Sequence, residues 1–586
     1  MHPPLDLMTG SASAADLSPS EPCLVTADGQ FFTWQDLRAG VRAWRDWLSR
    51  GDVADRVVVA RLDLSFSAVA LMTAAVTQPV RVAWLPLGLP AARERDMVAC
   101  LNPETILVDE TLAASVATAA LASSGEASDA ETGIDLTWSD EAKFIYFTSG
   151  SEGVPKAVQV GMGAIRNRIE WMWDQYPFDP SDRVVIQKPL SFVASYWEVL
   201  GSVLGGVSGV LVRGADRSRP DRFYDVVVGM KATHLFSTPP ALRGLAEMAS
   251  EQSASLSSLK FVCSSADVLT SDVVQRFYAA APRARLLNLY GATETTANTT
   301  VFEVPRTAKW PERLPLGRPI PNTRIVVRDA EGNEVDDGQE GLICIQGAPV
   351  ADGYVDGGRL IAGDGVFIRD GSGCEVRTGD LGYLENNSLH LTGRRDNAVN
   401  MSGYKIHLEE IEAAARKLAD APGPCGAVYL DAAEEQSLAL VIPRDWEQQV
   451  THQALSQLLP PYMVPQQIVP ADPVPTVRTG KVDRSGCRAL ISTRGSAPRT
   501  DTPAQDPHRA AVERLWSAAL DQGSGASAAD FFASGGDSLR AVRLLASLRK
   551  ELGFRIPLRA FYANPTISCL VALLASHVDG GEGLEA

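Results

Sequence analysis

Phe147-Thr148-Ser149-Gly150-Ser151-Glu152-Gly153-Val154-Pro155-Lys156 continues the apolar, β-prone run Phe144-Ile145-Tyr146-Phe147. Together they read as a glycine- and hydroxyl-rich loop leaving the end of a buried strand. Such a loop suits a polyphosphate: glycines let backbone N–H groups approach the oxygens, hydroxyls add hydrogen bonds, and a lysine adds charge. It is not a P-loop, because Lys156 follows Pro155 and precedes Ala157 instead of sitting between Gly and Ser or Thr. Taken alone, the same composition also describes an ordinary surface loop.

Working outward, short apolar runs alternate with helical stretches on both sides of this loop. Phe32-Thr33-Trp34 leads into a helix with Leu37, Val41, Trp44 and Leu48 at helical spacing. Val57–Ala60, Val184–Ile186, Gly209–Val212, His234–Phe236, Phe261–Cys263 and Leu286–Leu289 are buried-strand candidates. This is an α/β pattern, and ligands of such sheets collect at the carboxyl ends of the strands. After about 320, turn signals at Gly332-Asn333, Asp337-Gly338 and Asp370-Gly371 mark a β-rich region. Arg394-Arg395-Asp396-Asn397 is a polar break, followed by a unit whose first helix aligns Leu408, Ile411, Ala415 and Leu418.

Residues 491–507 have a linker composition. Beyond them, Val512, Leu515, Trp516 and Ala519 form a helical stripe, and Phe531 to Leu539 is a loop entering a second helix with Leu539, Val542 and Leu545 inward and Gly553 as its C-cap. Ser538 is expected at the N-terminus of that helix. The expected boundaries are 1–395 for a large core, 396–490 for a small α+β subdomain, 491–507 for the linker and 508–580 for a small helical bundle.

The 586 residues carry a net charge of −17, which argues against non-specific binding to nucleic acid or an anionic membrane. The eight cysteines include no CxxC pair and no nearby histidine cluster, so neither a disulfide framework nor a zinc site is indicated, and a reducing cytoplasm fits. Met1 to Ser20 has no basic region followed by a long apolar run, and no stretch is long enough to span a bilayer.

Six segments occur in an order that resembles an adenylation domain of a nonribosomal peptide synthetase, of the adenylate-forming superfamily, followed by a peptidyl carrier protein. They are the loop to Lys156; Asn288-Leu289-Tyr290-Gly291-Ala292-Thr293-Glu294; Arg377-Thr378-Gly379-Asp380; Gly393-Arg394-Arg395-Asp396; Thr479-Gly480-Lys481-Val482-Asp483-Arg484; and Gly535-Gly536-Asp537-Ser538-Leu539. The resemblance covers nearly the whole chain. It implies a layered α/β core, a mobile second subdomain hinged at Asp396, and a helical carrier.

It also implies ATP, Mg²⁺ and 4′-phosphopantetheine. Thr148, Ser149, Gly150, Ser151 and Lys156 would hold phosphate, Tyr290 and Gly291 the adenine, and Asp380 and Arg394 the ribose. Thr293 offers a hydroxyl for phosphate, and Glu294 a carboxylate for Mg²⁺. Lys481 would bridge the attacking carboxylate and the α-phosphate, where a cation stabilises the transition state more than the ground state. Ser538 resembles the serine that receives phosphopantetheine. The implied partners are a phosphopantetheinyl transferase, downstream condensing or tailoring enzymes, and a small MbtH-like helper protein. Two rival readings stay open: a ligase passing its acyl group to free coenzyme A, and an inactive adenylation unit with a working carrier.

Leu190 to Glu198 resembles the substrate-pocket motif, but Val193 stands where α-amino-acid-activating relatives have an aspartate for the substrate ammonium. A buried ammonium without that partner is costly. Carried over, the other pocket positions are Ala194, Trp197, Ser237, Val262, Ser264, Leu289, Ala297 and Asn298. Trp197 fills volume, so a short carboxylic acid is expected: a β-alanine-like acid, a hydroxy or keto acid, or an amino acid of low basicity. Glu152 and Ala157 depart from the family's usual threonine and glycine in the phosphate loop.

Overall fold

A computed structural model describes residues 18–571 apart from 54–55, 102–103, 125–136, 151–154, 218, 253, 308, 362, 364, 371–372, 402, 433–434, 478–481, 495–506, 521–530, 532–537, 553–555, 557–560, 562–564 and 568–569. The first helix shows how local chemistry sets the elements. Thr33 and Asp36 form a reciprocal capping box at its start, and Leu37, Val41, Trp44 and Leu48 of Trp34–Leu48 are buried on one side.

The apolar runs assemble into two large sheets. In the first, Arg285–Tyr290, Phe261–Ser264, His234–Ser237, Arg183–Ile186, Ser208–Leu211 and Pro22–Thr26 lie side by side in that order, every neighbouring pair parallel. Antiparallel strands finish both edges. Side chains alternate between the two faces. Phe236 and Cys263 join the core that contains Trp197 and Leu289, whereas Leu235 and Val262 join the core under the helices Pro220–Gly229, Pro239–Glu251 and Ser271–Ala280.

In the second sheet, Thr105–Val108, Val57–Ala60, Arg81–Trp84 and Lys143–Thr148 run parallel. Lys156–Gly161 returns antiparallel on Lys143–Thr148, and Gly353–Asp356 adds to it. The phosphate-loop candidate is therefore the tip of a hairpin, with Thr148 opposite Lys156. The β-rich region is an antiparallel sheet of Thr323–Arg328, Gly341–Gly347, Phe367–Asp370, Gly373–Glu385 and Ser388–Arg394.

After the polar break, a two-stranded ribbon of Ala398–Met401 and Tyr404–His407 leads into the helix Leu408–Ala419 and a three-stranded sheet of Gly426–Ala432, Glu435–Pro443 and Gln467–Ala471. The ribbon and helix cover one face of this sheet and the helix Arg484–Arg494 the other. That last helix runs past the expected boundary at Leu490 because Ile491 is buried against Val428, Val441 and Cys487. At the C-terminal end, the helices Pro507–Leu520 and Ser538–Leu552 pack together. Trp516 meets the rings of Phe531 and Phe561 at 4.9 and 6.2 Å. Gly553 and the side chains of Leu539 and Val542 lie outside the described residues. Among the described residues no helix is long and apolar enough to cross a membrane.

Candidate active site

The hairpin tip and the end of Arg285–Tyr290 meet. Lys156 lies over the ring of Tyr354, its Nζ 5.3 Å from the centroid, and Tyr354 donates its hydroxyl to Glu294 Oε1 at 2.9 Å. The Ala351 N–H donates to the Glu294 carbonyl at 3.0 Å. Tyr354, which the sequence reading did not single out, thus ties Lys156 to Glu294. Burial and the Glu294 carboxylate raise its phenol well above the ordinary value. Thr293 and Glu294 sit in the short 3-10 turn Thr293–Thr295. Gly291 is dictated by close approach: a Cβ there would lie 1.9 Å from the Ala297 carbonyl oxygen.

Tyr290 donates to Asp380 Oδ2 at 2.6 Å, and Arg394 pairs with the other oxygen of Asp380. The Arg394 guanidinium also grips Asp396 with two bonds, Nε to Oδ1 at 2.7 Å and Nη2 to Oδ2 at 2.8 Å. One arginine therefore joins the ribose candidate to the hinge candidate. Burial pushes the Asp380 carboxyl up despite Arg394. At Asp396 burial acts the same way, but the bonds and charge of Arg394 outweigh it and hold the carboxyl below the ordinary range.

The small subdomain docks on this site. Ser149 donates its hydroxyl to the Lys405 carbonyl at 2.5 Å, and Phe192 and Tyr404 meet edge to face at 4.8 Å. Gly403, at φ +87°, passes so close that a Cβ would lie 3.5 Å from Thr238 and 3.7 Å from Phe192. Glu410 forms an ion pair with Arg93 of the large lobe, and Gln436 donates to Asp267 at 2.7 Å. Ser151, Glu152 and Lys481 lie outside the described residues. Thr476 and Val482, which border the Lys481 segment, form a bridge, and Val482 packs on the sheet face opposite the ribbon. Ser538 opens its helix as expected, and its side chain lies outside the described residues.

Among the pocket candidates, Trp197 begins the π-turn Trp197–Gly201, a feature that often marks functional positions. Its ring stacks on Phe178 and tilts against Phe236. Val193, Ala194, Leu289 and Ala297 share its core. Asn298 is buried beside it, within reach of Arg168. By strand alternation Val262 shares the face of Leu235, while Ser237 and Ser264 stand opposite one another at the ends of their parallel strands, both buried with hydroxyls that have no partner among the described residues. Cys263 faces the core that holds Trp197, and the Ser265 N–H donates to the Ser237 carbonyl at 3.1 Å. Cys263 interacts electrostatically with Arg168, and its thiol is held well above the ordinary value by burial.

The AMP-binding enzyme family matches residues 12–355, and the phosphopantetheine attachment site family matches residues 510–574. Phenyloxazoline synthase MbtB of Mycobacterium sp. (strain MCS) is 32% identical over 460 residues, 76% of this chain and 39% of that protein. One polypeptide of the plipastatin synthase of Bacillus subtilis (strain 168) is 29% identical over 443 residues, 74% of this chain and 12% of that protein. The chain thus spans less than half the length of either relative. Among solved structures, holo-PA1221, described as a nonribosomal peptide synthetase protein containing adenylation and carrier domains bound to a vinylsulfonamide inhibitor, superposes with a TM-score of 0.73 at 23% identity, covering 96% of this chain and 95% of that one. The Vibrio cholerae adenylation domain AlmE, in complex with glycyl-adenosine-5′-phosphate, gives 0.65 at 18% identity, covering 82% and 96%. At these identities the structures speak for the fold. The family matches carry the assignment: this chain belongs to the AMP-binding enzymes, and its C-terminal part matches the phosphopantetheine attachment site family.

Proposed function

We propose that the enzyme adenylates a short carboxylic acid with Mg·ATP and loads it as a thioester on its own carrier domain. The observation that carries this reading is the meeting of Lys156 and Glu294 on Tyr354 within one site that also holds the Tyr290, Asp380 and Arg394 network. Such a site joins a cation for phosphate, a carboxylate for a hard metal ion, an aromatic face and a carboxylate able to accept from ribose hydroxyls. The oxygen donors of the Glu294 carboxylate fit Mg²⁺, which would supply charge neutralisation at the phosphates, and Thr293 offers its hydroxyl to phosphate.

In this reading the loop of Thr148, Ser149, Gly150, Ser151 and Lys156 holds the phosphates. Tyr290 and Gly291 hold the adenine, and Lys481 steadies the two anions that meet. Asp396 is the hinge, residues 396–490 the moving part and 508–580 the carrier. Ser538 bears the phosphopantetheine, whose thiol accepts the acyl group. A phosphopantetheinyl transferase must act first, and a condensing or tailoring enzyme must take the product. With Val193 in place of a carboxylate, the acid is β-alanine-like, a hydroxy or keto acid, or an amino acid of low basicity.

The test is intact-protein mass spectrometry of the phosphopantetheinylated enzyme with Mg·ATP and a panel of short acids. A mass increase from one acid that disappears in Ser538→Ala supports self-loading. Release of an acyl thioester on free coenzyme A without any increase would favour a coenzyme A ligase. A fully modified carrier with no acid-dependent pyrophosphate exchange would favour a carrier fed from elsewhere.

A further inference from the structure

Arg168, in the middle of the helix Met162–Gln175, is 2% exposed. Its guanidinium lies between two indoles, 4.6 Å from the Trp171 ring centroid and 5.3 Å from that of Trp197. Nη2 donates to Asn298 Oδ1 at 3.4 Å, while Nε and Nη1 have no hydrogen-bond partner among the described residues. The groups that act on its charge are Tyr196, Cys263 and Tyr176, with no carboxylate among them. A buried cation with unsatisfied donors is costly unless something completes it.

The surroundings point the same way. Trp197 Nε1 is a second buried donor without a partner among the described residues. Arginine and tryptophan can only donate. At Val193 the wall offers no carboxylate to receive an ammonium. The charge and hydrogen-bonding sense of the pocket are therefore reversed from those of a site that recognises an amine.

We infer that Arg168, with Asn298 beside it, is a specificity-determining residue of the acid pocket, and that the acid activated is short and bears a second oxygen acceptor, a keto oxygen or a second carboxylate, with no ammonium. The inference rests on reading this site as an adenylation site. It narrows the acid to those whose acceptor can take the free donors of the guanidinium, and it disfavours β-alanine.

The test is pyrophosphate exchange by the full chain with pyruvate, malonate, propionate and β-alanine, paired with a thermal-shift titration of each acid. Pyruvate and malonate separate the keto oxygen from the second carboxylate, and propionate supplies the same length without an acceptor. The expected result is a kcat/KM for pyruvate or malonate at least ~10²-fold above that for propionate and β-alanine, since a site built to hydrogen-bond strongly rejects the analogue lacking the group. Arg168→Met should remove that preference, mainly by raising KM for the oxygen-bearing acids. If Arg168→Met does not fold, Asn298→Asp serves, because its carboxylate would pair with Arg168 and should suppress the oxygen-bearing acids selectively. Equal or better turnover of propionate or β-alanine, or an equal loss for every acid in the variants, overturns the inference while leaving adenylation standing. Stabilisation by pyruvate or malonate without exchange supports the pocket assignment and overturns adenylation. The absence of both exchange and stabilisation with these two acids overturns the inference.

Discussion

Ser149 gives its hydroxyl hydrogen to the Lys405 carbonyl, joining the hairpin tip to a residue 256 positions further along the chain. The same docking buries the ion pair of Arg93 and Glu410, 7% and 1% exposed. Removing one partner of such a pair leaves the other charge uncompensated, at a cost of roughly 3–5 kcal/mol. Arg93→Met should therefore loosen the docked arrangement. Transfer of the acyl group from a preformed acyl-adenylate to the carrier is expected to slow at least ~10-fold, with a smaller change in pyrophosphate exchange. Equal slowing of both in single-turnover assays would show that the pair has no preference for this arrangement.

The role proposed for Lys481 lies in the other half of the reaction. The sheet face carrying Val482 points away from the ribbon that meets Ser149. Lys481→Ala should slow adenylation by roughly 10²–10³-fold, the usual effect of deleting one preorganised charge contact, and should spare transfer from a supplied acyl-adenylate. Comparable losses in the two half-reactions, measured separately, would assign the lysine a different role.

Tyr354→Phe deletes the hydroxyl that holds Glu294 Oε1 while keeping the ring beneath Lys156. One hydrogen bond to a charged group contributes roughly 1.5–3 kcal/mol. The exchange reaction should then need about ten-fold more Mg²⁺ for half-maximal rate, with little change in the KM of the acid. An unchanged Mg²⁺ titration would leave Glu294 positioned without Tyr354.

Glu198 governs a pH dependence of stability. Oε2 accepts the N–H groups of Gln187 and Lys188 at 2.7 and 2.8 Å, while Oε1 has no partner among the described residues. Burial raises its carboxyl from 4.5 to about 7, against the pull of Lys188 and the two N–H bonds. The folded protein thus holds a proton that the unfolded chain has released, and the stability so contributed is full below about 4.5 and lost as pH rises through about 7. Glu198→Gln keeps a carbonyl oxygen for both N–H groups and carries no charge. Relative to the parent it should gain stability between pH 5 and 8, on the order of 1 kcal/mol or more at pH 8. A parallel Tm profile for the two proteins would refute this.

The strands were legible because buried parallel strands are written as short apolar runs, and the hairpin tip because glycine and hydroxyl residues cluster there. Less legible was which core each strand residue joins: Cys263 packs with Trp197 and Val262 under the outer helices, because successive side chains of a strand point to opposite faces. The left-handed Ala266, at φ +71°, ends this segment, but alanine carries no mark of that conformation in a sequence. Tyr354 was not legible because it reaches Glu294 only through the pairing of Gly353–Asp356 with Lys156–Gly161. Arg168 was hidden for a simpler reason: an arginine on a helix normally reads as solvated surface.

The Ser149 hydroxyl has one hydrogen to give. While Ser149 bonds to Lys405, its hydroxyl hydrogen is turned to the protein's own carbonyl. On the proposed role of Ser149, a nucleotide triphosphate and the seated ribbon would be rivals for that hydrogen, and product departure and subdomain arrival would be two descriptions of the same vacancy being filled.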